Sequence, residues 1–217
     1  MAHASSSTRE RIIGSGLQIL SVAGLAGVSL GGLAEKVGMS KSGLFAHFKS
    51  KEHVELELLD QAFSLAIQHV ETAALKESDG LPRLIAAVHA WIGWYTKVGL
   101  SGGCPVAAAM FELDDVDGPL RDGMLKNVKL WHEMFKNFIL GAIREAHLRK
   151  DTDVDQFFWE LQGIYLAHHI STRFFRDTRA DERADRSLEK LIVQSRNASK
   201  SVPSKKGPRS QGKPHPK

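Results

Sequence analysis

Between Ser29 and Lys51 the chain reads Ser-Leu-Gly-Gly-Leu-Ala-Glu-Lys-Val-Gly-Met-Ser-Lys-Ser-Gly-Leu-Phe-Ala-His-Phe-Lys-Ser-Lys. Ser29 and Ser40 stand where helix N-caps belong, and Gly38 stands where the first of two short helices must stop. This spacing predicts a helix-turn-helix, an arrangement that lays its second helix in the DNA major groove. The chemistry it offers is anion recognition. Ser40 caps free amides, and Lys41 and Ser42 stand at the positive helix end, where phosphates are favoured. Gly43 permits close approach of backbone to DNA, and His47 faces outward one turn later. Lys51 opens the next helix at another anion-favouring position. Leu44, Phe45 and Phe48 have the spacing to pin the reading helix to its neighbours.

The elements that position this segment are helical nearly throughout, because apolar residues recur every three or four positions and no segment sustains a period of two. The reading is all-α with about nine helices. A three-helix DNA-binding domain spans 1–52, a connecting fourth helix 53–78, a ligand-binding and dimerisation domain 79–195, and a disordered basic tail 196–217. The first helix is expected over 8–23 with Thr8 as its cap, the third ends near Phe48, and the fourth runs over 51–75. After the polar break at 76–80, further helices are expected over 82–98, from Pro105 to the acidic turn at 114–118, and over 119–147, 154–176 and 181–194.

The motif resembles the tetracycline-repressor (TetR) family of bacterial transcriptional regulators over residues 11–60. Its core is Leu-Ala-Glu-Lys-Val-Gly-Met-Ser-Lys-Ser-Gly-Leu-Phe-Ala-His-Phe-Lys-Ser-Lys-Glu. The resemblance implies an all-α homodimer of nine or ten helices per chain, whose second domain binds a small effector and releases DNA. Carried onto this chain, the DNA-binding set is Ser29, Ser40, Lys41, Ser42, Gly43, Phe45, His47 and Lys51. Two departures stand out. Many relatives carry a tyrosine at the place of Phe45, so a phosphate contact through that hydroxyl is lost here. Gly31 and Gly32 replace better helix formers early in the second helix.

Charge supports a local DNA site. The net charge is +4, yet residues 196–217 hold seven of the 29 Lys and Arg and none of the 25 Asp and Glu. That leaves 22 bases against 25 acids in residues 1–195, a net of −3. Residues 1–51 nevertheless hold six bases and two acids. DNA affinity must therefore come from this small patch, with the tail either a nonspecific clamp or a solvated extension. With 42% hydrophobic residues the chain can bury a sizeable core. The lone Cys104 excludes an internal disulfide and the N-terminus lacks the apolar run of a signal peptide, so the bacterial cytoplasm is the expected compartment.

The second domain is rich in aromatics at helical spacing, which fits either a plain core or an apolar pocket. The candidate pocket residues are Trp91, Tyr95, Cys104, Met110, Trp131, His132, Phe135 and Tyr165, and the expected effector is apolar or aromatic. Cys104, just before Pro105, is either an inert buried thiol or a redox sensor at a helix N-terminus. The helix after Val154 has two apolar stripes and so needs two partners. Phe158, Tyr165, His168, Ser171, Thr172 and Phe175 are assigned to a dimer interface, which the resemblance implies is an intersubunit four-helix bundle.

No nucleophile–base pair, phosphate loop or metal-ligand cluster points to catalysis, and His168 and His169, being adjacent on a helix, do not chelate together. Catalytic residues, metals and cofactors are therefore expected to be absent. The function read here is a ligand-responsive, sequence-specific DNA-binding regulator, a repressor released from a palindromic operator by a small molecule. The alternative is a helical small-molecule binder or enzyme with a vestigial helix-turn-helix.

Overall fold

The computed structural model describes residues 7–196, so the tail from 197 onward lies outside the described residues. Ten helices follow one another: α1 (Thr8–Ala23), α2 (Leu30–Lys36), α3 (Lys41–Phe45), α4 (Lys51–Ala74), α5 (Leu81–Trp91), α6 (Trp94–Lys97), α7 (Pro105–Glu112), α8 (Pro119–Arg144), α9 (Val154–Arg173) and α10 (Ala180–Ser195). Among the described residues there is no strand, only a single bridge between Leu148 and Arg196.

Local chemistry sets most boundaries. Ser7, not Thr8, caps α1: its hydroxyl accepts the Glu10 amide while the Glu10 carboxylate accepts the Ser7 amide. This reciprocal capping box satisfies two groups that Thr8 could not reach. Ser29, Ser40 and Ser50 cap α2, α3 and α4 through the amides of Gly32, Gly43 and His53. Asp153 caps α9.

The helix expected over 82–98 is two helices, which raises the number to ten. Ile92 leaves the helical conformation, and Gly93 turns left-handed at φ +65°, a region glycine occupies without penalty. Lys97 folds back so that its ammonium donates to the carbonyls of His89 (2.7 Å) and Ile92 (3.0 Å), satisfying the end of α5. The helices at 119, 154 and 181 differ from expectation by only a few residues at their ends.

Helix α4 is the spine. Its buried Leu58 packs closely against Gly16 of α1, while Gly14 faces open space. Further along, Phe63, Ala66, Val70 and Ala74 are buried against the second domain, where α4, α5 and α8 pack on one another. Helix α9 covers α8, and α10 packs along α9. One aromatic cluster fills the centre: Trp91 stacks on Tyr165 at 4.5 Å and lies 4.8 Å from Phe135 and 5.4 Å from Trp131.

Candidate nucleic-acid interface and ligand cavity

Helix α3 is five residues long; Ala46, its C-cap, keeps helical angles, and the Phe48 amide closes a last turn on the Leu44 carbonyl at 3.1 Å. Leu44 and Phe48 are fully buried and hold it down. Phe45, expected to help pin it, is 49% exposed instead and shares the outer face with Lys41, one turn earlier. The Lys41 stem runs beside Gly31 of α2, which leaves room for it, so the early glycine in α2 has a local purpose.

Arg9 fixes the tilt of this unit. Its guanidinium lies 4.7 Å above the Phe48 ring, donates to the His47 carbonyl at 3.0 Å, and pairs with Glu57 of α4. Arg11 donates to the Val37 carbonyl at 3.2 Å and ties α1 to the end of α2. Sequence reasoning missed both arginines as positioning residues, since their partners lie far along the chain.

The remaining expected DNA-facing residues divide. Ser40, Lys41 and Ser42 are exposed together, with the two serine hydroxyls 3.0 Å apart. Ser29 is exposed at the start of α2, and Gly43 and His47 are half-buried. The Lys51 ammonium pairs with Glu55 at 3.2 Å. Burial pushes the Glu55 carboxyl up, and Lys51 pulls it back down.

In the second domain a cavity of about 60 Å³ opens beside the aromatic cluster. Phe63 and Ala66 of α4 form one wall, and Trp91 and Trp94 another. Cys104 with Val106, Ala107 and Met110 brings in α7. Val128, Trp131 and His132 of α8 and Gln162, Tyr165 and Leu166 of α9 complete the lining. Six of the eight expected pocket residues meet here. Tyr95 does not: the turn at Gly93 sends it to the α9 side, 5.6 Å from the His169 ring. Phe135 does not line it either; it is fully buried behind Trp91 and Trp131.

Cys104 caps α7, its sulfur accepting the Ala107 amide (3.3 Å) and the Trp94 indole N–H (3.4 Å). Burial pushes the thiol up, against the lowering contributed first by the nearby Tyr165 hydroxyl and then by these donors. A buried thiol held in its neutral form fits the inert reading rather than the sensor reading. His132 stands 3.3 Å from Gln162, and its imidazole is shifted down by burial first and by Lys136 second. Gln162 and Trp94 are the notable omissions from the expected set; Trp94 was legible as an aromatic beside Trp91, but Gln162 carried no signal among polar residues.

Helix α7 also touches the DNA-binding unit. At its far end the Glu112 carboxylate accepts the backbone amides of Leu25 and Ala26 in the turn after α1. At its near end, Gly102 and Gly103 donate to the Ser21 hydroxyl (3.1 Å) and carbonyl (2.8 Å). A Cβ at Gly102 would collide with that carbonyl, so only glycine fits this approach.

The stripe assigned to a subunit interface lies half inside the chain. Phe158, Tyr165 and His168 are buried in the protomer's own core, where Phe158 and Tyr165 pack against Trp91. Ser171 is half-buried, and Thr172 and Phe175 are exposed. The other stripe of α9 faces outward: Trp159 is 66% and Phe174 79% exposed, with Gly163, Ala167 and Ile170 between them. Either stripe could face inward on apolar spacing alone; the inward one is the stripe whose Phe158 and Tyr165 pack against Trp91. Among the described residues no group of three or more His, Cys, Asp or Glu is placed to hold a metal, and no helix is long and apolar enough to cross a membrane.

A reading head of this geometry, set on a helical domain with a lined cavity, defines a DNA-binding regulator. Residues 12–69 match the bacterial regulatory proteins of the tetR family, and residues 80–188 match the tetracyclin repressor-like C-terminal domain. The chain belongs to the TetR family of transcriptional regulators. A comparison with the curated proteins finds no match. Among solved structures, a TetR-family regulator from Cytophaga hutchinsonii is 24% identical, with 90% of this chain and 98% of that one covered and a TM-score of 0.75. A TetR regulator from Chloroflexus aurantiacus is 23% identical, with 87% and 96% covered and a TM-score of 0.78. The regulator FadR from Bacillus subtilis, solved in complex with stearoyl-CoA, is 13% identical, with 85% and 98% covered and a TM-score of 0.70.

Proposed function

We propose that this regulator is a homodimeric repressor that holds a near-palindromic operator through its two α3 heads and releases it when a small molecule enters the cavity. The observation that carries this reading is the double attachment of α7. Cys104, Val106, Ala107 and Met110 line the cavity, and Glu112 on the same helix holds the turn that follows α1. A ligand larger than the cavity must displace α7, and that displacement pulls on the DNA-binding unit. Release follows only if the ligand prefers the displaced arrangement, since equal affinity for both shifts nothing. The stearoyl-CoA complex of FadR supports a ligand-binding role for a domain of this fold.

The DNA contacts are assigned to Ser29, Ser40, Lys41, Ser42, Gly43, Phe45, His47 and Lys51. Dimerisation is assigned to the outward stripe of α9, together with α10, as an intersubunit four-helix bundle. An apolar stripe of this length needs a partner, and a two-fold axis supplies the same stripe from a second copy. The axis would set the heads on successive major grooves, roughly 34–36 Å apart. The division into a DNA-binding unit over 1–52, connecting α4 and a regulatory unit over 79–195 follows from these roles. The protein acts in the cytoplasm by binding and not by catalysis.

The test is a gel shift at low salt with the DNA upstream of the protein's own gene, paired with footprinting. A two-fold symmetric footprint is expected. A well-folded dimer that retards neither this DNA nor any fragment selected from genomic DNA would sink the reading.

A further inference from the structure

The cavity's lining states which chemistry it accepts. None of its fourteen lining residues is Asp, Glu, Lys or Arg. An ionised ligand would lose its hydration and gain no counter-charge, a cost that apolar contacts do not offset. Four aromatic rings, those of Phe63, Trp91, Trp94 and Trp131, form much of the wall. Trp91 and Trp131 meet edge-on at 66°, and a wall of ring edges and faces favours an aromatic guest, which can pack edge-to-face or stacked, over an aliphatic one.

The polar groups narrow the choice. The Trp94 N–H and the Ala107 amide are already engaged by the Cys104 sulfur. The Tyr165 hydroxyl is less well served: it lies beside Cys104 and Trp94, close enough to bear on the thiol's protonation, yet it meets hydrogen-bond geometry with no protein group. Its ring is only 5% exposed and is clamped by stacking on Trp91, so the hydroxyl cannot swing away to find one. A buried hydroxyl left unpaired is costly, and a guest oxygen in the cavity would remove that cost. One turn away on α9, Gln162 with His132 of α8 offers neutral polar atoms, because burial holds the imidazole uncharged near neutral pH.

Size adds a limit. A cavity of about 60 Å³ is smaller than a single aromatic ring requires, so entry needs the wall to give. Met110, 40% exposed on α7, is the flexible lining residue nearest solvent. A one- or two-ring guest asks for a modest shift, whereas a long acyl chain or a nucleotide-bearing thioester asks for a wholesale rebuilding of the wall.

We infer that the effector is a small, uncharged, planar aromatic compound of one or two rings that carries an oxygen hydrogen-bonded to Tyr165. This rests on the reading of the cavity as the regulatory site. Three of the four tryptophans line the cavity, so intrinsic fluorescence reports occupancy directly.

The experiment titrates the full-length protein with 2-naphthol, naphthalene, 2-naphthoate and palmitoyl-CoA at pH 7. The expected result is saturable quenching by 2-naphthol, with affinity about tenfold above naphthalene and at least tenfold above 2-naphthoate and palmitoyl-CoA. Tyr165→Phe should bring 2-naphthol down to the naphthalene level and leave naphthalene unchanged. Should that variant fold poorly, Ala107→Leu, which fills the cavity, should abolish the quenching by both neutral probes. Equal or tighter binding of either anion overturns the proposal, as does a Tyr165→Phe protein that keeps full 2-naphthol affinity, or no quenching by any probe. Operator binding is measured in parallel. Loss of the neutral preference with intact operator binding strikes the effector class alone, whereas a clear neutral preference without operator binding strikes the regulator reading alone.

Discussion

Glu112 accepts the backbone amide of Leu25 at 3.0 Å, across 87 residues of sequence, and the same carboxylate takes the Ala26 amide at 3.1 Å. The two amides belong to the turn between α1 and α2, so the last residue of a cavity-lining helix holds the entrance to the DNA-reading unit. Glu112→Ala hands both amides to water. The expected stability loss is about 1 kcal/mol, seen as a melting temperature lower by roughly 2–4 °C. The larger effect is on coupling: the variant should stay on operator DNA in a gel shift at ligand concentrations that release the wild type. Release at the same ligand concentration would show that the clamp carries no signal.

The other attachment of α7 is steric. Gly102→Ala forces a Cβ into the Ser21 carbonyl, where neither backbone can yield cheaply. The expected cost is about 2–3 kcal/mol, a fall of roughly 4–12 °C in the melting temperature by circular dichroism. Gly103→Ala meets side chains alone, the His169 ring at 3.0 Å and the Arg173 guanidinium at 3.5 Å, and should cost clearly less.

Lys41 and Phe45 share the outer face of α3 but should differ in their effects on DNA. Lys41→Ala should weaken binding evenly across operator variants. It should also reduce the log–log salt slope by about 0.9 per head, or about 1.8 per dimer. Phe45→Tyr restores a hydroxyl that can reach phosphate, so affinity should rise severalfold with no change in sequence preference. Binding titrations at several salt concentrations check both.

How far these features could be read in advance depended on the range of the interaction. The caps Ser29 and Ser40 and the starts at Pro105 and Pro119 were legible because a cap and its amide lie within three or four residues. The break at Gly93 was hidden because Trp91, Trp94 and Tyr95 keep helical spacing across it, and the same break displaced Tyr95 from the cavity. Glu112, just before the acidic turn at 114–118, gave no sign of its role, since its partners stand more than eighty residues away. The orientation of α9 was open for a different reason: both of its stripes are apolar, and only packing against Trp91 decides which one turns inward.

Acid should destabilise the fold. Burial lowers the imidazoles of His69, His132 and His169 below the usual 6.5. Below that pH the unfolded chain takes up protons that the folded chain refuses. The stability from these three is therefore complete above pH 6.5 and falls as pH drops towards their folded values. Glu55, raised by its own burial, runs the other way: its contribution is complete below pH 4.5 and is lost as pH rises through its raised folded value. The melting temperature should drop between pH 7 and 5.5. His132→Gln should flatten that drop, whereas an unchanged slope would remove His132 from the account.

The outward stripe of α9 should hold the dimer together. Trp159→Glu places a charge on that face without touching the protomer core. Sedimentation velocity should show monomers with unchanged helical content, and operator affinity should fall by orders of magnitude as the second head is lost. Phe158→Glu, by contrast, buries the charge within the chain and should unfold it.

The brevity of α3 limits how much of an address a single head can spell. Five residues bring roughly three or four side chains to base edges, enough to tell apart a word of a few letters. Words that short recur throughout a chromosome, so one head alone has no unique destination. The distinguishing information then sits in the interval between two words, and with the outward stripe of α9 as the seam, as proposed above, that interval is measured out there. A change on α9 far from any DNA contact can thus redirect the protein to new genes, while α3 keeps its vocabulary intact.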